Sequence, residues 1–128
     1  MNVLLIEDSA LIRNVINESL EECTDISIST YAETQHHAIE LLKLEQFDML
    51  LVDIELSQGN GFEVIKFAQS AEYLFSPPVI IILTNNASSY YRLMAKQLGV
   101  NFFFDKSMDF DLAIETITNV AFKFTHPH

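Results

Sequence analysis

Apolar positions along this chain fall into two alternating rhythms. The segments Asn2 to Ile6, Met49 to Val52, Val79 to Leu83 and Phe102 to Phe104 are short and almost continuously apolar, each closed by polar residues. That is the pattern of strands covered on both faces of a sheet. A further segment, Asp25 to Tyr31, alternates Ile26 and Ile28 with Ser27 and Ser29, as expected of a strand near a sheet edge with one covered face. Between these segments the apolar residues step by three and four, the period of one helical face. Leu11, Ile12, Val15, Ile16 and Leu20 predict a helix from Ala10 to Glu22 with Ser9 as its N-cap. Ala38, Ile39, Leu41 and Leu42 predict a second from Thr34 to Leu44, and Phe62, Val64, Ile65, Phe67 and Ala68 a third opening at Gly61 and broken by Ser76-Pro77-Pro78. A fourth runs from Ser88 to Leu98 with Gly99 as C-cap. The fifth follows Asp109, through Phe110, Ala113, Ile114, Ile117, Val120, Ala121 and Phe124.

Five strands alternating with five helices predict an α/β fold, a three-layer (βα)5 doubly wound parallel sheet with right-handed crossovers. The flavodoxin-like strand order 2-1-3-4-5 is the expected topology, with ligands at the switch point between strands one and three. No linker, internal repeat or low-complexity stretch divides the chain, so residues 1–128 read as one domain, with His126-Pro127-His128 as a frayed end or an expression remnant.

Composition narrows the possibilities. A hydrophobic share of 49% suits a packed core, and no apolar run approaches the roughly 20 residues of a membrane span. Val3-Leu4-Leu5-Ile6 is interrupted by Glu7-Asp8 too early for a secretory signal, so a cytoplasmic location is expected. Cys23 is the single cysteine, which excludes an internal disulfide and a cysteine metal cluster and reads as a small apolar residue near a helix end. A formal charge of −11, from 18 acids against 7 lysines and arginines, disfavours direct contact with nucleic acid or an anionic membrane and points to proteins or cations as partners. Glu18, Glu21, Glu22, Glu40 and Glu45 fall on exposed helical positions. The acids at strand ends need another explanation.

In the predicted topology the carboxyl ends of strands one, three, four and five bring Glu7, Asp8, Asp53, Thr84 and Lys106 to one rim. Singly these residues are ordinary: Asp53 as a loop or capping acid, Lys106 as a solvated lysine, Thr84 as a strand-end hydroxyl, Glu7 and Asp8 as charges favouring the following helix dipole. Together, three carboxylates raise one another's pKa unless a cation compensates. An all-oxygen donor set without imidazole or thiolate selects Mg2+ or a similar hard ion such as Mn2+. Such a site suits phosphoryl transfer to a carboxylate nucleophile, with cations neutralising the transferred group. His36 and His37 point in different directions from one helix and read as solvated surface. Tyr90 and Tyr91 divide between an inward and an outward position, and Phe102, Phe103 and Phe104 cannot all face one way.

Four motifs then fall in order at the right strand ends: Leu4-Leu5-Ile6-Glu7-Asp8-Ser9, Leu51-Val52-Asp53 with Gly61-Phe62-Glu63 eight residues beyond the acid, Leu83-Thr84-Asn85, and Phe103-Phe104-Asp105-Lys106. With them the chain resembles a response-regulator receiver domain of two-component signalling over essentially its whole length. The resemblance implies that Asp53 accepts phosphoryl from a phosphohistidine on a sensor histidine kinase or histidine phosphotransfer protein. It implies Mg2+ (or Mn2+) on Asp8, Asp53 and the Glu55 backbone carbonyl, with Glu7 helping through water. Lys106 pairs with the phosphoryl group, Thr84 swings toward it, Asn85 adjoins it at the cofactor site, and Phe103 occupies the aromatic switch position. The implied role is regulatory rather than enzymatic, limited to self-phosphotransfer and autodephosphorylation. Output then passes to a protein effector or a homodimer through the surface of helix four, strand five and helix five.

Three departures stand out. Ser57 and Ser107 replace two prolines usual in the family, and Phe103 lacks a tyrosine hydroxyl. Glu55 and Asn86 sit where receivers tune dephosphorylation. The alternatives are a phosphorylation-independent interaction module on the same fold and a flavin- or nucleotide-binding protein. The second lacks a Gly-rich phosphate loop here, where Glu7-Asp8 follow the first strand.

Overall fold

A computed structural model describes residues 1–127 and shows five parallel strands interleaved with five helices: β1 (Asn2–Ile6), α1 (Ala10–Leu20), β2 (Ser27–Ala32), α2 (Gln35–Leu44), β3 (Met49–Val52), α3 (Gly61–Ala68), β4 (Val79–Thr84), α4 (Ser89–Gln97), β5 (Phe102–Asp105) and α5 (Phe110–Thr125). The strand order is β2-β1-β3-β4-β5. This is the flavodoxin-like doubly wound sheet that the hydrophobic pattern predicts.

The continuous apolar runs of β1, β3 and β4 feed two cores at once. Leu4, Ile6, Leu50, Val52, Ile80 and Ile82 point to a layer containing Ala38 and Leu42 of α2, Phe62 and Ile65 of α3, and Ala95 of α4. Val3, Leu5, Met49, Leu51, Ile81 and Leu83 point the other way, onto Ile16 and Leu20 of α1 and Ala113 and Ile117 of α5. Each buried Val, Leu, Ile, Met or Phe among them contributes roughly 1.5–3 kcal/mol by leaving water, so three central strands of this composition anchor the sheet between the two helical layers. β2, at one edge, exposes Ser27, Ser29 and Tyr31 and half-covers Ile28 and Thr30, as its alternating sequence requires.

Most element ends differ from the sequence expectation by one or two residues, but α3 already ends at Ala68, with Gln69 as C-cap, ahead of the expected break at Ser76-Pro77-Pro78. α1 stops at Leu20 rather than Glu22, because the Cys23 N–H closes onto the Leu20 carbonyl and turns the chain. β2 begins at Ser27 and extends to Ala32, whose carbonyl receives the Glu7 N–H at 2.9 Å. β4 and β5 each run one residue further, pairing Thr84 with Asp105. Thr34 and Ser88 act as N-caps of α2 and α4, their hydroxyls accepting from His37 and Tyr91 N–H groups. Ser9 does the same for α1. His126, expected in a frayed end, instead closes α5: its N–H reaches the Phe122 carbonyl at 2.8 Å and its ring stacks on Phe122. His128 lies outside the described residues. His36 and His37 are exposed. No helix among the described residues is long and apolar enough to cross a membrane.

Candidate functional site

The strand order sets the carboxyl ends of β1 and β3 side by side, Ile6 opposite Val52, so Glu7-Asp8 and Asp53 leave the sheet together. Registered backbone bonds continue past the strands: Asp53 N–H to the Ile6 carbonyl, and Lys106 N–H to the Thr84 carbonyl, both at 2.9 Å. The result is a cleft of about 200 Å3 lined by Glu7, Asp8, Ser9, Asp53, Glu55, Thr84, Asn85 and Lys106, with Ile12 behind them. Every rim residue singled out in the sequence is there. Phe103 is not; it points to the α2–α3–α4 side, half-buried against that core, with the Arg92 guanidinium 4.8 Å from its ring centre.

Three of the site's charges are withdrawn from water, while Asp8 is partly open to it. Glu7 is 2% exposed, Asp53 7% and Lys106 9%. The Lys106 ammonium donates to Asp53 Oδ2 at 2.8 Å and pairs with Glu7 Oε1, while Glu7 Oε2 accepts from the Ser9 N–H at 3.1 Å. Burial pushes the Glu7 carboxyl above its usual range, and the Lys106 hydrogen bond and the Ser9 N–H only partly offset this; the neighbouring Asp53 charge adds to the rise. For Lys106, burial works against the ammonium, but the Asp53 and Glu7 carboxylates outweigh it and raise its pKa. Opposite charge thus wins over desolvation for the lysine and loses to it for the glutamate.

One ammonium does not neutralise this rim. Glu7, Asp8 and Asp53 offer carboxylate oxygens within 4.8 Å of one another, and three carboxylates against Lys106 leave two negative charges in formal terms. Asp53 Oδ1 is buried and makes no hydrogen bond among the described residues. A buried acceptor without a partner costs about 1–3 kcal/mol, so this oxygen is available to a cation or an electrophile. Oxygen donors, close spacing and surplus charge all fit a hard divalent ion.

The loop after Asp53 is shaped by two glycines. A Cβ on Gly61 would lie 2.3 Å from the Asp53 carbonyl oxygen and 2.6 Å from Val52 Cγ1, so α3 can start this close to β3 only with glycine. Gly59 has φ +77°, a left-handed turn. Ser57 sends its hydroxyl to the Glu33 carbonyl at 3.0 Å. At the other loop, the Asp105 carboxylate accepts from the Ser107 hydroxyl and N–H at 2.7 and 2.8 Å and from Met108 N–H at 3.2 Å, which holds it below its usual pKa and fixes the turn after Lys106. Across the mouth, Asn86 Nδ2 donates to Glu55 Oε1 at 2.8 Å.

The sequence does not single out Arg13, which is 8% exposed. An arginine in a helical pattern reads as solvated surface, and only the fold reveals its partners. Tyr73, whose hydroxyl accepts from the buried Phe47 N–H at 3.1 Å, is hidden from sequence for the same reason. Tyr91 packs edge-on against Phe62 while Tyr90 is exposed, and Phe104 is buried while Phe102 is partly open, so both divided expectations hold.

The profile of the response regulator receiver domain matches residues 3–118. The sensory transduction protein LytT of Bacillus cereus is 27% identical over 117 residues, covering 91% of this chain and 46% of LytT. A protein-glutamate methylesterase/protein-glutamine glutaminase of Vibrio vulnificus is 30% identical over 107 residues, 83% of this chain and 30% of that protein. The chain therefore spans less than half the length of these relatives. Among solved structures, the receiver domain of AraT, a response regulator from Geobacillus stearothermophilus, superposes with a TM-score of 0.80 at 27% identity, covering 98% of this chain and 96% of that one.

Proposed function

The chain belongs to the response regulator receiver family of two-component signal transduction, and from that premise we propose that Asp53 is its phosphoacceptor. The observation that carries the reading is the buried Asp53 carboxylate, one oxygen held by Lys106 and the other uncommitted, beside two further acids. Glu7, Asp8, Asp53 and the Glu55 carbonyl are the proposed holders of Mg2+ or Mn2+. Bound there, such an ion would supply charge neutralisation on the transferred group. The chain's own part is positional and electrostatic. An Asp53 oxygen attacks phosphorus of a phosphohistidine; the new O–P bond forms as the N–P bond breaks, and the imidazole leaves with the electron pair and takes a proton. Lys106, already fully charged by its neighbours, exchanges a carboxylate partner for a phosphoryl oxygen. Thr84, buried with its hydroxyl accepting only from the Asn86 N–H at 3.3 Å, has its own proton to donate to the same group, and Asn85 lines the cleft beside it.

Phosphoryl arrival would change the partners of Thr84 and Lys106, at the ends of β4 and β5, and so bias the neighbouring surface of α4, β5 and α5. There Phe103 sits under Arg92 with no hydroxyl to anchor, so its response is a packing change. A sensor histidine kinase or phosphotransfer protein is the proposed donor, and a protein effector or second copy the proposed recipient. The role is that of a regulatory phosphoacceptor. The test is an amide NMR titration: with Mg2+ and beryllofluoride, resonances around Asp53, Thr84 and Lys106 should shift, followed by those of α4 and β5. A spectrum unchanged by either reagent would favour a phosphorylation-independent module.

A further inference from the structure

Arg13 is a buried cation with three partners and no place in the chemistry above. Its Nη1 donates to the Glu7 carbonyl at 2.9 Å, its Nη2 pairs with Glu33 Oε1 at 3.2 Å, and its guanidinium carbon lies 3.9 Å from the Tyr31 ring centre. Every polar atom of Glu7 is thereby tied: N–H to Ala32, carbonyl to Arg13, Oε1 to Lys106 and Oε2 to the Ser9 N–H. On the far side, the Glu33 carbonyl receives the Ser57 hydroxyl at 3.0 Å. Two more bonds bind the same loop to the same turn, Gln35 N–H to the Gln58 carbonyl at 3.0 Å and Asn60 N–H to Gln35 Oε1 at 3.1 Å. A continuous path therefore runs from the β1 end, through Arg13 and Glu33, to the loop that carries Glu55.

We propose that Arg13, with Glu33 and Ser57, is a positioning clamp that sets the spacing between Glu7-Asp8 and the Glu55 loop for a divalent cation. The inference rests on the cation reading given above. A planar guanidinium reaches a carbonyl and a carboxylate in fixed directions at once, which a lysine ammonium does not. Ser57 provides by a hydrogen bond the loop restraint that a proline would provide through its ring. The sign of the effect separates the clamp from simple electrostatics. A positive charge near the acids repels Mg2+, so deleting it should tighten binding on charge grounds alone. Loss of a clamp should weaken binding, since outer partners of metal ligands are typically worth 10–100-fold in affinity.

Mg2+ titrations by calorimetry on wild type, Arg13→Met, Arg13→Lys and Ser57→Ala test this, alongside metal-free thermal unfolding of each. Both Arg13 variants should bind Mg2+ about tenfold more weakly, and Ser57→Ala about fivefold, the value of one hydrogen bond near 1 kcal/mol. The Arg13→Lys and Ser57→Ala double variant should fall short of the product of the single effects, because both cut one path. If Arg13→Met does not fold, Arg13→Lys and Ser57→Ala decide. Variants that lose thermal stability but bind Mg2+ as wild type does, or more tightly, overturn the clamp and leave the cation reading standing. A wild-type protein that binds no Mg2+ overturns both.

Discussion

Replacing Lys106 by methionine removes the one ammonium that two buried carboxylates share while keeping a flexible chain of similar length. Breaking a buried ion pair at one partner typically costs about 3–5 kcal/mol, because the remaining charge is stranded. Glu7 has a cheaper escape, which is to take up a proton. At pH 7 that costs about 1.4 kcal/mol for each of the 2.5 pH units above its ordinary value of 4.5, or about 3.5 kcal/mol. This is the ceiling on the Glu7 penalty. At pH 4.5 protonation is nearly free, and the surviving loss is the charged hydrogen bond to Asp53, about 1.5 kcal/mol. The sign follows from linkage: an acid whose folded-state pKa is raised binds more protons folded than unfolded, so stability falls as pH rises from the unfolded value through the folded one. Without Lys106 that rise is larger and the window extends toward neutrality. Urea unfolding of wild type and Lys106→Met at pH 4.5 and 7 should therefore show a larger deficit at pH 7, by at most about 3.5 kcal/mol. An equal deficit at the two pH values would instead mean that Glu7 does not depend on Lys106 for its charge.

Three further outcomes follow from other contacts. Gly61→Ala sets a Cβ against the Asp53 carbonyl, a backbone atom that cannot step aside, and should cost about 1–3 kcal/mol in urea unfolding as other overpacked sites do. Tyr73→Phe leaves the Phe47 N–H without its 3.1 Å partner in a buried place and should cost about 1–3 kcal/mol in the same assay. On the alkaline side, Lys106 has a raised pKa, so its contribution is complete below its ordinary value of 10.5 and is lost as pH climbs through the folded value. Titration of the Lys106 side-chain nitrogen by NMR should show its midpoint above 10.5.

The parts of this protein that are legible in sequence are those fixed by local rules. Continuous apolar runs name β1 and β3 to the residue, the step of three and four names the helices, and a serine or threonine before α1, α2 and α4 marks each start. With the flavodoxin-like order taken as the expected one for five alternating strands, the convergence of Glu7, Asp8, Asp53, Thr84 and Lys106 is readable too. What sequence does not show depends on contacts between distant segments. Arg13 is unremarkable until α1 lies beside Tyr31 and Glu33. The Glu55–Asn86 bond joins residues 31 apart in sequence, from loops that only the assembled sheet brings together. The serines at 57 and 107 read as losses of proline restraint, yet each carries a hydroxyl that restrains its loop differently, one toward Glu33 and the other toward Asp105.

The uncommitted oxygen of Asp53 is the proposed nucleophile. Incubation of the intact protein with a small phosphodonor and Mg2+, followed by intact mass measurement, tests it most directly. One added phosphoryl group, absent without Mg2+ and absent in Asp53→Asn, is the predicted result. A phosphoryl group on Asp53→Asn, or none on the wild-type protein, would contradict it.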